Sequence, residues 1–311
     1  MITVRLDRPL TASLPSGIAG TVGFFDGVHV GHRFLIDQLK KIAEKKGLPA
    51  AAITFPVHPR RVLDKRFCPE LLNSFEEKLY QLSTTGIDYC LVLDFTKALS
   101  EQTAREFIQE ELWRKLNVKS LMVGYDHRFG RNREEGFPAY KQYGSEVGMD
   151  VIEADPLLYA QVNVSSTRIR KLLSGGEMEK AAILLSYDYT LKGIVIEGNR
   201  IGRTIGFPTA NIQLEDPEKI VPGFGVYIAT VDVEQASYKG MLYIGQRPTF
   251  DENSVLRIEV HLLDFSGDLY GKTLKISIKK FLRKDVKFDS IHALKQQLEL
   301  DKVEVSGTVK N

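Results

Sequence analysis

The apolar residues keep one spacing up to about Leu185 and another beyond it, and a chain with two spacings has to build two kinds of layer. In the first half, continuous apolar runs at 18–25, 50–55, 89–95, 120–125 and 150–154 alternate with amphipathic stretches at 33–46, 75–83 and 104–116. Buried strands separated by helices predict an α/β doubly wound parallel sheet, with ligands bound beyond the carboxyl ends of its strands. The stretch 104–116 opens on Thr103 and Glu106 at capping-box spacing and turns Ala104, Phe107, Ile108 and Leu112 inward. From Tyr189 the period drops to two, in runs at 191–196, 226–233, 238–244, 257–263 and 274–280 separated by Gly, Pro and Asp turns. These runs predict an antiparallel barrel or sandwich, closed by one terminal helix with Asp289 as N-cap and Ile291, Leu294 and Leu298 on one face. A chain of 311 residues holds two ordinary cores, and the expected division is into domains 1–185 and 186–311.

Charge narrows the partners. Lys and Arg number 42 against 40 Asp and Glu, a formal net charge of +2, so nothing global draws the chain to nucleic acid or to an anionic membrane. Basic clusters at 128–133 and 168–171 suit a phosphate-rich small molecule. Cys68 and Cys90 make neither a disulfide framework nor a metal quartet. Residues 1–8 are unlike a signal peptide and no apolar run approaches a bilayer span, so the expected location is cytoplasmic. None of these features speaks to oligomeric state.

The stretch GFFDGVHVGH, residues 23–32, follows the first long apolar run and leads into a helical pattern through Leu35, Ile36, Leu39, Ile42 and Ala43, with Gly47 as a helix stop. Strand, glycine turn and helix N-terminus together present backbone N–H groups and a positive dipole end to a phosphate. His29 and His32 fall on one face of that first turn and can bind a single anion. Paired histidines at this spacing are also a metal pattern, but no cysteine or HExxH arrangement accompanies them.

Other stretches fall where such a sheet places its site. FPVHP at 55–59 and GYDHRFG at 124–130 close strand candidates, and VSSTRIR at 164–170 opens a helix. His58 and His127 alone read as satisfied loop residues and Asp126 as a turn residue. Ser165, Ser166 and Thr167 read either as an N-cap cluster or, with Arg168 and Arg170, as a polyphosphate clamp. In the second half, GNRIGRTIGFPTAN at 198–211 lacks the Lys-Ser/Thr of a Walker loop. Its glycines allow close backbone approach, and Thr209 and Asn211 offer hard oxygens suited to Mg²⁺. The alternative is a glycine-rich hairpin. Glu259, alternating with Ile258 and Val260, reads by itself as a solvent-facing strand position.

In combination these motifs resemble a known family. HxGH after a first strand is similar to the signature of the nucleotidylyltransferase and class I tRNA synthetase superfamily. The longer form at 23–32 resembles the adenylyltransferase half of the bacterial bifunctional riboflavin kinase/FAD synthetases (FMN adenylyltransferases). The stretches at 124–130 and 164–170 resemble its G-x-D-F-x-F-G and V/I-S-S-T-x-I-R motifs, and the stretch ending at Asn211 resembles the riboflavin kinase run G-R-x-x-G-F-P-T-A-N. Three departures stand out: FPVHP replaces F-x-P-H-P, His127 stands where phenylalanine is common, and Tyr243 stands where many members carry asparagine, a change expected to matter little.

The resemblance implies a barrel of the riboflavin kinase type behind an HxGH-type sheet, and two reactions, riboflavin to FMN and FMN to FAD. ATP is co-substrate in both, FMN and FAD are the products, and Mg²⁺ assists. It implies catalytic roles for His29, His32, Arg168 and Glu259. ATP of the adenylyltransferase falls to Gly23, Phe25, His29, His32, Asp126, Ser165, Ser166, Thr167 and Arg168, and FMN to Phe55, His58, Pro59, Asp126 and Arg128. ATP of the kinase falls to Gly198, Gly202, Arg203, Gly206, Phe207, Pro208, Thr209 and Asn211, the flavin to Glu259, Arg283 and Phe288, and the metal to Thr209 and Asn211. The rivals are a nucleotidylyltransferase for another phosphate ester, a flavin carrier and an RNA-binding relative.

Overall fold

The computed structural model describes residues 1–6, 14–125, 127–157, 164–198, 201–247 and 255–308. The chain divides into two compact units, Met1–Ser166 and Thr167–Asn311.

The first unit is built on a six-stranded, wholly parallel sheet of β1 (Ile2–Arg5), β2 (Ile18–Val22), β3 (Ala50–Thr54), β4 (Tyr89–Val92), β5 (Val118–Val123) and β6 (Asp150–Glu153). Its order is β1-β4-β3-β2-β5-β6. The chain therefore reverses its winding at β2, with β3 and β4 to one side and β5 and β6 to the other. The crevice of a doubly wound sheet lies at this reversal, outside the carboxyl ends of β2 and β5. Alternate residues feed two apolar clusters. Ile18, Val22, Ala51, Ile53, Leu91 and Leu121 join one, and Ala19, Ala50, Ala52, Cys90, Val92 and Met122 join the other, so both faces are covered. The short strand β1 escapes the period argument because four residues cannot establish a rhythm.

The helix Val30–Lys46 starts three residues before its apolar repeat predicts, because His29 in extended backbone caps it. It ends at Gly47, whose left-handed φ of 63° returns its N–H to the last turn. The capping box of Thr103 and Glu106 is formed, but three residues on, the helix widens to π geometry over Phe107–Lys115. There the buried Glu111 carboxylate accepts from Gln102 at 2.9 Å and from Lys115 at 2.7 Å.

In the second unit six antiparallel strands close into a barrel. They are β7 (Tyr189–Ile196), β8 (Ala210–Leu214), β9 (Gly225–Val233), β10 (Ala236–Arg247), β11 (Val255–Leu262) and β12 (Thr273–Arg283), in the order β10-β11-β8-β7-β12-β9. The pattern had allowed barrel or sandwich; closure decides for the barrel. On β7 the period is plain, with Tyr189, Leu191, Gly193 and Val195 buried and the residues between them more exposed. The helix Met178–Leu185 packs on β7 and β12, and the Gly223 N–H donates to Leu173 O at 3.0 Å, so the helices after Ser166 pack with the barrel.

The terminal helix spans Ile291–Thr308. Its cap is Ser290, whose Oγ accepts from the Ala293 N–H at 3.1 Å, rather than Asp289. Ile291 points to solvent, while Leu298 and the fully buried Val305 meet Phe207, Ile228 and Met241.

Candidate active sites at the sheet switch point and in the barrel

At the carboxyl end of β2 the turn is folded under strain. Phe25, Gly27 and Val28 all have positive φ, at 55°, 82° and 36°. For a β-branched valine this is costly and is held only because Phe25 and Val28 are locked into the core. The Phe25 ring folds back onto the backbone, and a Cβ at Gly23 would lie 2.9 Å from it. Edge-on to the same ring, 5.3 Å away, stands His32, and His32 stacks on His29 at 3.7 Å and 15°. The two imidazoles thus share one face of the first helical turn, at its positive end.

Their protonation follows from burial. His29 is 5% exposed, and desolvation brings it down to about 4 despite a backbone hydrogen bond that opposes the shift. His32 is lowered by burial and then by the neighbouring His29, His127 and Lys78. Both are neutral near pH 7. His29 Nδ1 accepts from the His32 N–H at 3.4 Å, which leaves Nε2 to carry the proton of the neutral His29 ring. His32 Nδ1 is buried with no partner among the described residues. An orphaned polar atom at a helix start is where a ligand oxygen or water is expected.

Around this turn the remaining residues take distinct places. Asp26 is buried, and its Oδ1 accepts from the N–H of Leu72 at 2.9 Å and of Asn73 at 3.4 Å. Its carbonyl accepts from Ser166 Oγ at 2.9 Å, which brings the second hydroxyl of the 164–170 motif to the histidine turn. Ser165, Thr167 and Arg168 are exposed. Thr167 and Arg168 follow on the helix Ser166–Ser174 and belong to the second unit. At the end of β3, Phe55 is buried edge-on to Phe95 at 5.3 Å. His58 caps the helix Pro59–Leu63 through Nδ1 and lies 4.8 Å edge-on to Phe24. The altered FPVHP order keeps His at the cap and Pro at the first helical position, where proline costs no hydrogen bond. Arg128 is exposed on the loop after β5; Asp126 lies outside the described residues.

The periodicity passed over Lys78. It sits in the helix Phe75–Ser83 and is 3% exposed. Its Nζ donates to Phe24 O at 3.1 Å and Phe55 O at 2.7 Å, and lies 4.0 Å from the Phe24 ring centroid. The signal was present, since Phe75, Lys78, Leu79 and Leu82 share the inward face of that helix.

In the barrel, pairing register brings the polar residues together. Glu259 on β11 stands opposite Asn211 on β8 and opposite Tyr243 on β10. It is 8% exposed, not the solvent-facing position its alternation alone suggests. Thr209 Oγ1 donates to its Oε2 at 3.3 Å and Arg257 Nε donates to its Oε1. Gly198 and Gly202 are required by close approach. A Cβ on Gly198 would meet Asn211 Nδ2 at 2.0 Å, and one on Gly202 would meet Phe207 O at 2.2 Å. Gly206 turns at φ 86°. Phe207 is buried against His261, whose Nδ1–H donates to Pro208 O at 2.7 Å; Arg203, Pro208 and Thr209 are exposed. Tyr243 Oη donates to Asp285 Oδ2 at 2.9 Å, and burial with that bond raises the phenol to about 12. Tyr243 thereby ties β10 to the loop after β12. At the end of β12, Arg283 forks onto Asp301 at 2.8–3.0 Å and lies 5.8 Å from the Phe288 ring centroid.

Thr209, Asn211 and Glu259 supply hard oxygens in one cluster, a donor set that fits Mg²⁺. Among the described residues no group of three or more His, Cys, Asp or Glu stands ready for a metal.

The FAD synthetase family model matches residues 12–168 and the riboflavin kinase family model matches residues 185–308. The bifunctional riboflavin kinase/FMN adenylyltransferase of Listeria monocytogenes is 37% identical over 97% of this chain and 96% of its own. This chain belongs to that family. The Escherichia coli relative of the same name is 35% identical over 97% of this chain and 96% of its own. A solved Streptococcus pneumoniae structure titled macrolide-efflux protein superposes with a TM-score of 0.89 at 31% identity, covering 99% of this chain and 100% of that one. Among the described residues no helix is long and apolar enough to cross a membrane.

Proposed function

We infer that the chain makes FMN from riboflavin and FAD from FMN, with ATP as co-substrate in each step, the kinase in the barrel and the adenylyltransferase at the sheet switch point. Family membership over nearly the whole chain supports both activities. The observation that carries the residue assignment is the stacked, neutral histidine pair whose His32 Nδ1 lacks a partner among the described residues, placed at a helix start outside the reversal of the sheet. Functionally we divide the chain into 1–185 and 186–311, and we place the enzyme in the cytoplasm.

In the adenylyltransferase half, an FMN phosphate oxygen attacks the α-phosphorus of ATP, a P–O bond to pyrophosphate breaks, and FAD forms. The phosphate nucleophile is already an anion, so no base is needed; charge on the crowded phosphates has to be stabilised. His29 Nε2–H and His32 donate to phosphate oxygens alongside the helix N-terminus. Gly23, Phe25, Asp126, Ser165, Ser166, Thr167 and Arg168 complete the ATP site, and Phe55, His58, Pro59, Asp126 and Arg128 the FMN site.

In the kinase half, the riboflavin 5′-hydroxyl attacks the γ-phosphorus, its proton passes to Glu259, and ADP leaves. Arg257 and Thr209 hold the Glu259 carboxylate in place. Gly198, Gly202, Arg203, Gly206, Phe207 and Pro208 form the loop for ATP, and Arg283 and Phe288 border the flavin. Thr209 and Asn211 would hold Mg²⁺, which would supply positive charge to the phosphates.

The two assignments separate in one assay. Glu259→Ala should abolish FMN formation from riboflavin and leave conversion of supplied FMN to FAD intact. His29→Ala or His32→Ala should do the reverse, losing about 2–4 kcal/mol of transition-state stabilisation, as for an electrostatic donor. Equal loss of both activities in the Glu259 variant, or intact FAD synthesis in both histidine variants, overturns the assignment.

A further inference from the structure

We propose that Lys78 is a positioning residue for adenylyl transfer: its buried side chain ties the histidine turn after β2 to the loop after β3, holding the two substrate-binding segments in one register. The inference rests on the histidine turn and the β3 loop being the nucleotide and flavin sides of that site.

The geometry is a brace across two neighbouring parallel strands. Lys78 Nζ spans Phe24 O at 3.1 Å and Phe55 O at 2.7 Å, each on the segment that leaves its strand toward the crevice. Phe24 O also accepts from Thr54 Oγ1 at 3.2 Å, so that carbonyl is held from two sides. The Phe24 ring lies under the ammonium at 4.0 Å and meets His58 at 4.8 Å. One residue beyond Phe24 stands Phe25, whose ring carries His32. A displacement at Nζ is therefore passed to His58 on one side and His32 on the other. A methionine of similar length would fill the space but leave both carbonyls without this donor.

The charged and titratable groups facing Lys78 are Asp26 from the β2 turn, Cys90 from β4 and His32 from the helix Val30–Lys46. Burial outweighs the attraction of Asp26 and lowers the ammonium to about 8; above that value the amine keeps two N–H donors but loses the charge that strengthens both bonds and holds it over the Phe24 ring. Arginine at this position keeps its charge throughout.

The test uses the full chain. FAD synthesis from FMN and ATP, and FMN formation from riboflavin and ATP, are followed from pH 6 to 10 (on the order of four units around the Lys78 value) in wild type, Lys78→Met, Lys78→Arg and, as reference, His32→Ala. Wild-type FAD synthesis should fall on an alkaline limb near pH 8. Lys78→Met should lower kcat roughly 10–100-fold, the effect of misplacing a reacting group by about an ångström, and show no such limb. Lys78→Arg should retain synthesis past the limb, and FMN formation should be unchanged in both Lys78 variants. A wild type without the limb, a limb surviving in Lys78→Arg, or undiminished synthesis in Lys78→Met overturns the proposal; the first two hold even if Lys78→Met does not fold. Loss of synthesis in His32→Ala beside a normal Lys78→Met sinks the brace alone, whereas normal synthesis in His32→Ala sinks the reading of the site.

Discussion

At pH 7 the two histidines of the switch point are neutral imidazoles, which sets both what they donate and how the first unit responds to acid. The folded His29 titrates at about 4 against an ordinary 6.5, so between those values the unfolded chain binds the extra proton. Stability is present above the unfolded value and is lost as pH falls through the folded one. The loss should reach on the order of 3 kcal/mol at and below pH 4. Urea titrations at pH 4.5 and 7 should show it, and His29→Gln should flatten the difference. The sequence showed which residues carry the motifs, because glycine turns and paired histidines are written in order. It did not show that Lys78, Arg257 and Tyr243 stand beside them. Those meet the motifs through a helix face and through strand register, which are settled only when distant segments pack.

The terminal helix shows the same division for a whole element. Its existence follows from the repeat of Leu294 and Leu298, but two adjacent residues, Asp289 and Ser290, are both capable caps, and only packing chooses the second. What pins the helix is a pair that no periodicity reveals, Arg283 on β12 and the 3%-exposed Asp301, which also accepts from Gln297 at 2.9 Å. Removing one partner of a buried, bidentate pair leaves an uncompensated charge. Asp301→Ala should therefore cost the barrel about 3–5 kcal/mol, read as a lowered midpoint in chemical denaturation. Strand β8 was missed for a different reason: Ala210–Leu214 is short and overlaps the glycine-rich motif, whose composition reads as a turn.

Across the whole molecule, the two clusters of the sheet lie within the first unit and the cluster under the terminal helix within the second. Denaturation followed by circular dichroism should accordingly resolve two transitions, with Asp301→Ala moving one and acid moving the other; a single transition shifted equally by both would contradict this. The change of apolar period reported the two architectures, yet it could not report closure, since an open sandwich and a barrel alternate alike. Closure has its own result. The barrel strands are paired all the way round, whereas the parallel sheet ends at β1 and β6. β6 is guarded by Asp150, paired with Lys46, and by Glu153, but β1 offers half-exposed Ile2 beside Thr3. An unpaired row of backbone groups is a template for another chain, so when this protein aggregates on heating, growth should begin at β1 and a lysine in place of Ile2 should delay it.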